Sequence, residues 1–306
     1  MSLIDDIKDS YRQGDMLQRL IYVNIAVFVV YFVVWNILGR FLWVGAAPMW
    51  FELFPQYFMV PASFRNLITQ PWSIVTYMFL HLGFLHLLFN MIWLWFGGQI
   101  FKEFLGSRKL LSTYLLGGLA GAAAYMLAFN LFPYFAPQLS SSHALGASAS
   151  VLAIVIAAAT YAPELRVRLF LIGDVKMKYI AIAAVALDVF SLSGSSNLGG
   201  HIAHLGGALY GYWMARSLQK GKDINQRFEG WIDQLVVLLR RGPSSRMKKV
   251  YRNKNQKNTP PRSDDAYRSE RVEKQKRIDE ILDKIAESGY ESLSQEEKDF
   301  LFKSGR

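Results

Sequence analysis

The chain runs to 306 residues without a single cysteine. That absence excludes disulfide bonding, a thiolate nucleophile, and zinc or iron–sulfur sites ligated by cysteine. It says nothing of compartment. Histidine is also scarce, at five residues: His81, His86, His143, His201 and His204. A zinc site built from His81, His86 and His204 would lack both a His-Glu-x-x-His pair and a carboxylate at their depth, so no metal and no cofactor is expected.

Apolar residues, by contrast, make up 52% of the chain. They gather into runs at residues 20–38, 82–101, 110–132, 146–162, 179–192 and 202–218. A bilayer-crossing helix takes roughly 17 to 25 apolar residues, and only the fifth run falls clearly short. Asp5, Asp6, Asp9 and Asp15 stand among the basic residues ahead of the first run, which is longer than a signal-peptide core. A retained anchor is therefore expected, not a cleaved signal.

Basic residues set the topology, because cytoplasmic loops hold an excess of Lys and Arg. Lys8, Arg12 and Arg19 precede the first run, Lys102, Arg108 and Lys109 follow the second, and Arg166, Arg168, Lys176 and Lys178 follow the fourth. From Arg216 onward there are 22 more, whereas the alternate loops hold only Arg40 and Arg65. The expectation is an all-α polytopic protein: a six-transmembrane-helix bundle in the plasma (inner) membrane, both termini cytoplasmic. The first external loop, residues 39–80, carries Trp43, Trp50, Phe51, Phe54, Tyr57, Phe58 and Trp72, residues that favour the headgroup region.

The organisation follows: a cytoplasmic N-terminus at 1–19, a membrane domain at 20–218, an amphipathic and basic linker at 219–267, and a small helical hairpin at 268–306. Residues 240–262 contain nine basic residues and no acidic one, which suits anionic lipid headgroups and not nucleic acid. In the hairpin, Gly289 is placed as a C-cap, and Ser294 with Glu297 as a capping box.

Chemistry centres on Gly146-Ala147-Ser148, at the mouth of the fourth run. A serine there is either an inert N-cap or a nucleophile whose developing oxyanion would sit beside unpaired N–H groups. The second, fourth and sixth runs all pass from outside to inside, so His81, His86, Asn90, Ser148 and His204 share one external depth. His204, Gly207 and Gly211 are spaced i, i+3, i+7, which aligns two glycines below the imidazole and permits a close helix contact. An imidazole within reach of a hydroxyl is what a serine nucleophile requires. His86 and Asn90, at i and i+4, offer N–H donors to one cavity. His201 lacks the glycine stripe and is expected at the interface. Asp188, in the fifth run, could orient an imidazole; a structural role is the expectation.

Three motifs carry a resemblance: His81-Leu-Gly-Phe-Leu-His86-Leu-Leu-Phe-Asn90, Gly146-Ala147-Ser148, and Ala203-His204-Leu-Gly-Gly207-Ala-Leu-Tyr-Gly211. Over residues 20–218 the chain resembles the rhomboid family of intramembrane serine proteases. The resemblance implies a Ser148–His204 dyad, an oxyanion site including His86 and Asn90, and supporting roles for His81, Gly146, Gly207 and Gly211. It implies transmembrane proteins as substrates, cut near the external face. This chain departs from the family pattern at Ala149, which replaces a glycine and narrows the oxyanion site, and at Leu152, which replaces an aromatic residue. It departs again at Trp72-Ser73, where the family carries Trp-Arg, and at Lys102, where it carries an acid. The alternative these departures raise is a catalytically inactive rhomboid-like protein that binds transmembrane helices.

Overall fold

The computed structural model describes residues 3–42, 48–169, 172–194, 197–240 and 264–304. The chain divides into two compact units, Met1–Gly242 and Pro243–Arg306. The basic segment at 241–262 and the loop residue Trp43 lie outside the described residues.

Each apolar run of the first unit folds as a helix. After α1 (Leu3–Gln13) come α2 (Met16–Tyr31), α3 (Phe84–Leu105), α4 (Ser107–Leu131), α5 (Ser148–Tyr161), α6 (Met177–Ser191), α7 (Leu198–Gln219) and α8 (Gln226–Arg240). Asp15 caps α2, its carboxylate accepting the Gln18 N–H at 3.0 Å, and the helix continues as a π-helical stretch, Phe32–Leu38. Among the described helices, three are long and apolar enough to cross a membrane: Met16–Trp35, Phe84–Leu105 and Ser107–Leu131.

At the centre of the bundle stands α5. It is apolar on every side, and such a helix has no face to offer water. Accordingly Ala149 to Val151 and Ala153 to Ala159 are all buried. Its 14 residues reach only about 21 Å at 1.5 Å per residue. The sequence places a bilayer-length segment here, but Gly146 and Ala147 remain outside the helix.

At the opposite end of the helices from Ser148, charged groups bind the unit together. Lys102 pairs with Asp15 at 2.5 Å, and Glu164 joins Lys176 and Lys178 at 2.7 and 2.5 Å. Arg108 pairs with Asp233 and Lys109 with Asp223, which hold the start of α4 to the segment after α7. Buried Glu229 on α8 accepts from Ser112 Oγ at 2.9 Å, and Asn225 bridges Ser112 to Tyr210. Residues 219–240, read from sequence as the start of a linker, thus pack into the first unit.

Two small antiparallel pairings lie beyond the all-α expectation. Strand β1 (Val60–Pro61) in the loop between α2 and α3 pairs with β2 (His143–Ala144) just before the serine, and β3 (Arg166–Leu169) pairs with β4 (Gly173–Lys176) between α5 and α6. Tyr57 and Trp72 in that loop are half exposed, and Trp35 stacks on Phe51 and Phe54.

The second unit is the hairpin α9 (Asp264–Ser288) and α10 (Gln295–Ser304). Gly289 takes φ +78° and donates its N–H to the Ile285 carbonyl at 2.9 Å. The capping box forms in both directions: the Ser294 N–H donates to Glu297 at 2.7 Å, and the Glu297 N–H to Ser294 Oγ at 3.3 Å. Ile281 and Leu293 are buried, whereas Val272 and Leu282 are exposed.

Candidate active site

The serine is placed by its approach. Gly146 takes φ +113°, a region that costs a residue with a Cβ, and donates its N–H to the Tyr77 carbonyl at 2.8 Å. A methyl group on Gly146 would fall 2.7 Å from Cε1 of His86, so that imidazole packs directly on the glycine. The next residue, Ala147, donates its N–H to Nε2 of His81 at 3.4 Å. His81 is wholly buried and its Nδ1 donates to the Phe79 carbonyl at 3.3 Å, which leaves Nε2 as the acceptor. The 77–81 segment is itself braced on α4. Tyr77 donates its hydroxyl to the Gly118 carbonyl at 2.6 Å, and Tyr114 donates to the Met78 carbonyl at 2.9 Å. Sequence reading missed this brace, since nothing in the spacing of Tyr77 marks its carbonyl as the anchor of the serine loop.

Ser148 is the first residue of α5, and Ala147 is its N-cap without a side-chain bond. The capping alternative is therefore not realised. Instead the Ser148 hydroxyl meets Nε2 of His204 at 2.6 Å. The close approach of α5 and α7 makes that distance possible. A Cβ on Gly207 would lie 2.1 Å from the Ala149 carbonyl oxygen, and one on Gly211 would lie 2.1 Å from that of Ala153. Both glycines of the stripe therefore touch the backbone of the serine helix, where any side chain would hold the helices apart.

Asp188 and His201 form a contact that the sequence reading did not anticipate. Oδ1 of Asp188 accepts from Nδ1 of His204 at 2.8 Å and from Nδ1 of His201 at 2.7 Å. A carboxylate does therefore occupy the depth of the histidines, contrary to the sequence reading. The signal was available: α6 runs toward the end at which α7 begins, and Asp188 stands three residues before its close. The i, i+3 spacing of His201 and His204 brings both imidazoles to the same side of α7. Their rings lie 5.7 Å apart and nearly perpendicular. The ligating atoms of Asp188, His201 and His204 fall within 4.8 Å of one another, at hydrogen-bond lengths already satisfied by the two Nδ1 protons.

Ser148, Asp188 and His204 open onto a cavity of about 590 Å³. His86, Asn90, His143, Ser148, Asp188 and His204 line it, together with Trp93, Leu152, Val155 and Ala184. Asn90 donates one amide N–H to the His86 carbonyl of its own helix at 2.8 Å, and an Asn carries two such N–H groups. Backbone N–H groups in the first turn of α5 have no partner within the helix. The Ala149 methyl, expected to narrow this region, faces α4: an ideal Cβ on Gly121 would sit 2.5 Å from it. Of the other departures, Leu152 is part of the cavity wall, Trp72 donates its indole N–H to the Tyr57 carbonyl at 2.8 Å, and Lys102 pairs with Asp15.

A family model described as Rhomboid domain matches residues 68–220, and one described as Family of unknown function (DUF6576) matches residues 263–303. Presenilin-associated rhomboid-like protein A, mitochondrial, of Danio rerio is 31% identical over 137 residues, covering 44% of this chain and 34% of that protein. RHOMBOID-like protein 12, mitochondrial, of Arabidopsis thaliana is 28% identical over 191 residues, covering 58% and 56%. Rhomboid protease GluP of Bacillus subtilis (strain 168) is 30% identical over 160 residues, covering 51% and 28%. The chain thus spans from about a quarter to just over half the length of these relatives. Half of its residues fall on the Rhomboid domain model, and that half contains α3, α5 and α7 with His86, Asn90, Ser148, Asp188, His201 and His204: the chain belongs to the rhomboid family.

Proposed function

We propose that this protein is an intramembrane serine endopeptidase that cuts transmembrane segments of other membrane proteins near the external face. One observation carries the reading: the 2.6 Å contact between Ser148 Oγ and His204 Nε2 on the wall of a cavity within an apolar bundle. The name of the Bacillus subtilis relative, a rhomboid protease, supports it.

In this reading Ser148 Oγ attacks the scissile carbonyl carbon as its proton passes to Nε2 of His204. The carbonyl electrons move onto oxygen, where His86, Asn90 and the first-turn N–H groups of α5 stabilise the charge. His204 returns the proton to the leaving amine, giving an acyl-enzyme, and water activated by the same imidazole releases it. His81 and Gly146 hold the loop that presents the serine, and Gly207 and Gly211 hold α7 against α5. Every step is assigned to side chains and backbone of this chain, with no metal or cofactor called upon.

Placement in the bilayer is part of the proposal. Helices α2 to α7 form six crossings, with both termini in the cytoplasm of a plasma-membrane protein. A central helix of about 21 Å in a hydrocarbon core of about 30 Å sets Ser148 below the surface, where the loop from Gly146 brings polar backbone and water down to it. The basic segment at 240–262 is assigned to anionic headgroups.

The test uses the purified, detergent-solubilised chain with a fluorophosphonate probe and a tagged transmembrane substrate. Wild type is expected to be labelled and to cleave, and Ser148→Ala to do neither. Cleavage by Ser148→Ala at the wild-type rate would refute the assignment. A wild type that retains substrate helices without labelling or cleavage would establish the inactive helix-binding alternative instead.

A further inference from the structure

We propose that Asp188 completes a Ser148–His204–Asp188 triad as a positioning residue, with His201 holding the carboxylate in place. The inference rests on the serine-protease reading above and deepens it.

The position of the proton on His204 matters first. A neutral imidazole has one N–H and one lone pair, and only the form protonated at Nδ1 accepts the Ser148 hydroxyl through Nε2. Asp188 Oδ1, at 2.8 Å from Nδ1, selects that form, because an ionised carboxylate only accepts. Ser148 Oγ, the two ring nitrogens and Oδ1 then form one hydrogen-bonded line across three helices, α5, α7 and α6.

A carboxylate in a membrane helix is costly, of order 2.5 to 3.5 kcal/mol at the helix centre on insertion scales. Asp188 meets that cost with two N–H donors on one oxygen. His201 supplies the second of these, and its Nδ1–H, at 2.7 Å, fixes where the carboxylate points. Asp188 is also the one polar residue among the three that α6 buries, the others being Met177 and Ile180.

When Ser148 attacks, its proton bonds to Nε2 and the imidazole becomes an imidazolium that keeps its Nδ1 proton. The Asp188 carboxylate beside it stabilises that charge and does not itself take the proton. As Nε2 delivers its proton to the leaving amine, the imidazole returns to the tautomer that Asp188 selects.

The experiment compares wild type, Ser148→Ala, Asp188→Asn and Asp188→Glu as full-length solubilised protein. It reads the rate of fluorophosphonate labelling, and kcat and KM on a transmembrane substrate. Asp188→Asn is expected to lower kcat and the labelling rate by about 10²-fold or more, with KM within about twofold. A purely structural role would instead change KM or the yield of folded protein. Labelling of Asp188→Asn at the wild-type rate, with Ser148→Ala unlabelled, would overturn the triad and leave the protease reading standing. If wild type itself is unlabelled, the protease reading fails and the triad falls with it. Should Asp188→Asn not fold, Asp188→Glu decides, because it keeps the charge but displaces it by a methylene. Reduced labelling at unchanged KM supports the triad, and wild-type labelling overturns it.

Discussion

At the scale of single residues, the site depends on where each polar group directs its hydrogen bonds. Ser148 could have capped α5; its hydroxyl faces His204 because the backbone of the preceding two residues is held by Tyr77 and His81. Asn90 holds its own helix with one N–H, and the other is the donor proposed for the oxyanion. Removing one preorganised oxyanion donor typically lowers kcat by about 10² to 10³-fold. Asn90→Ala is therefore expected to lower kcat on a transmembrane substrate by about that factor with little change in KM. Steady-state kinetics of the purified variant check it, and an unchanged kcat would remove Asn90 from the oxyanion site.

At the scale of elements, the decisive contact is α7 against α5. The stripe of Gly207 and Gly211 lets the two backbones approach until carbonyl oxygens of α5 fill the space a side chain would need. A methyl at Gly207 meets backbone at 2.1 Å, and backbone cannot turn aside as a flexible side chain does. Gly207→Ala is thus expected to push α7 outward, to cost about 1 to 3 kcal/mol of stability, and to lengthen the Ser148–His204 contact. Unfolding of the solubilised protein should shift to lower denaturant while labelling of Ser148 slows. A variant as stable and as reactive as wild type would mean that the two helices have room for a side chain between them. Helix α6 shows the complementary case, in which a peripheral helix reaches the site through one carboxylate.

At the scale of the whole molecule, the ends of the bundle differ in chemistry. Ion pairs join α2, α3, α4 and the segment after α7 at one end, and the histidines and Ser148 gather at the other. Charge asymmetry of this kind orients membrane proteins. Reporter fusions in bacterial cells should therefore give a fluorescent green fluorescent protein and an inactive alkaline phosphatase at the C-terminus, with active phosphatase when fused after Leu139; the reverse pattern would invert the proposed topology. Much of this was legible in the residues themselves. Apolar runs locate the helices because only long stretches of such side chains are stable in lipid, Lys and Arg placement supplies the direction proposed for them, and the glycine stripe below His204 marks a helix face made for close packing. The pairing of Ser148 with His204 is expected from those facts together with the family resemblance carried by the motifs around the two residues. The joint contact of Asp188 with His201 and His204 was not anticipated, because a single acid in a short run carries no periodicity, and its partner depends on how two helices lie across each other. The shortness of α5, the brace from Tyr77 and Tyr114, and the shared carboxylate were decided by tertiary structure alone. Hydrogen bonds to backbone carbonyls and contacts among three helices depend on distances in space, and spacing along one chain does not contain them.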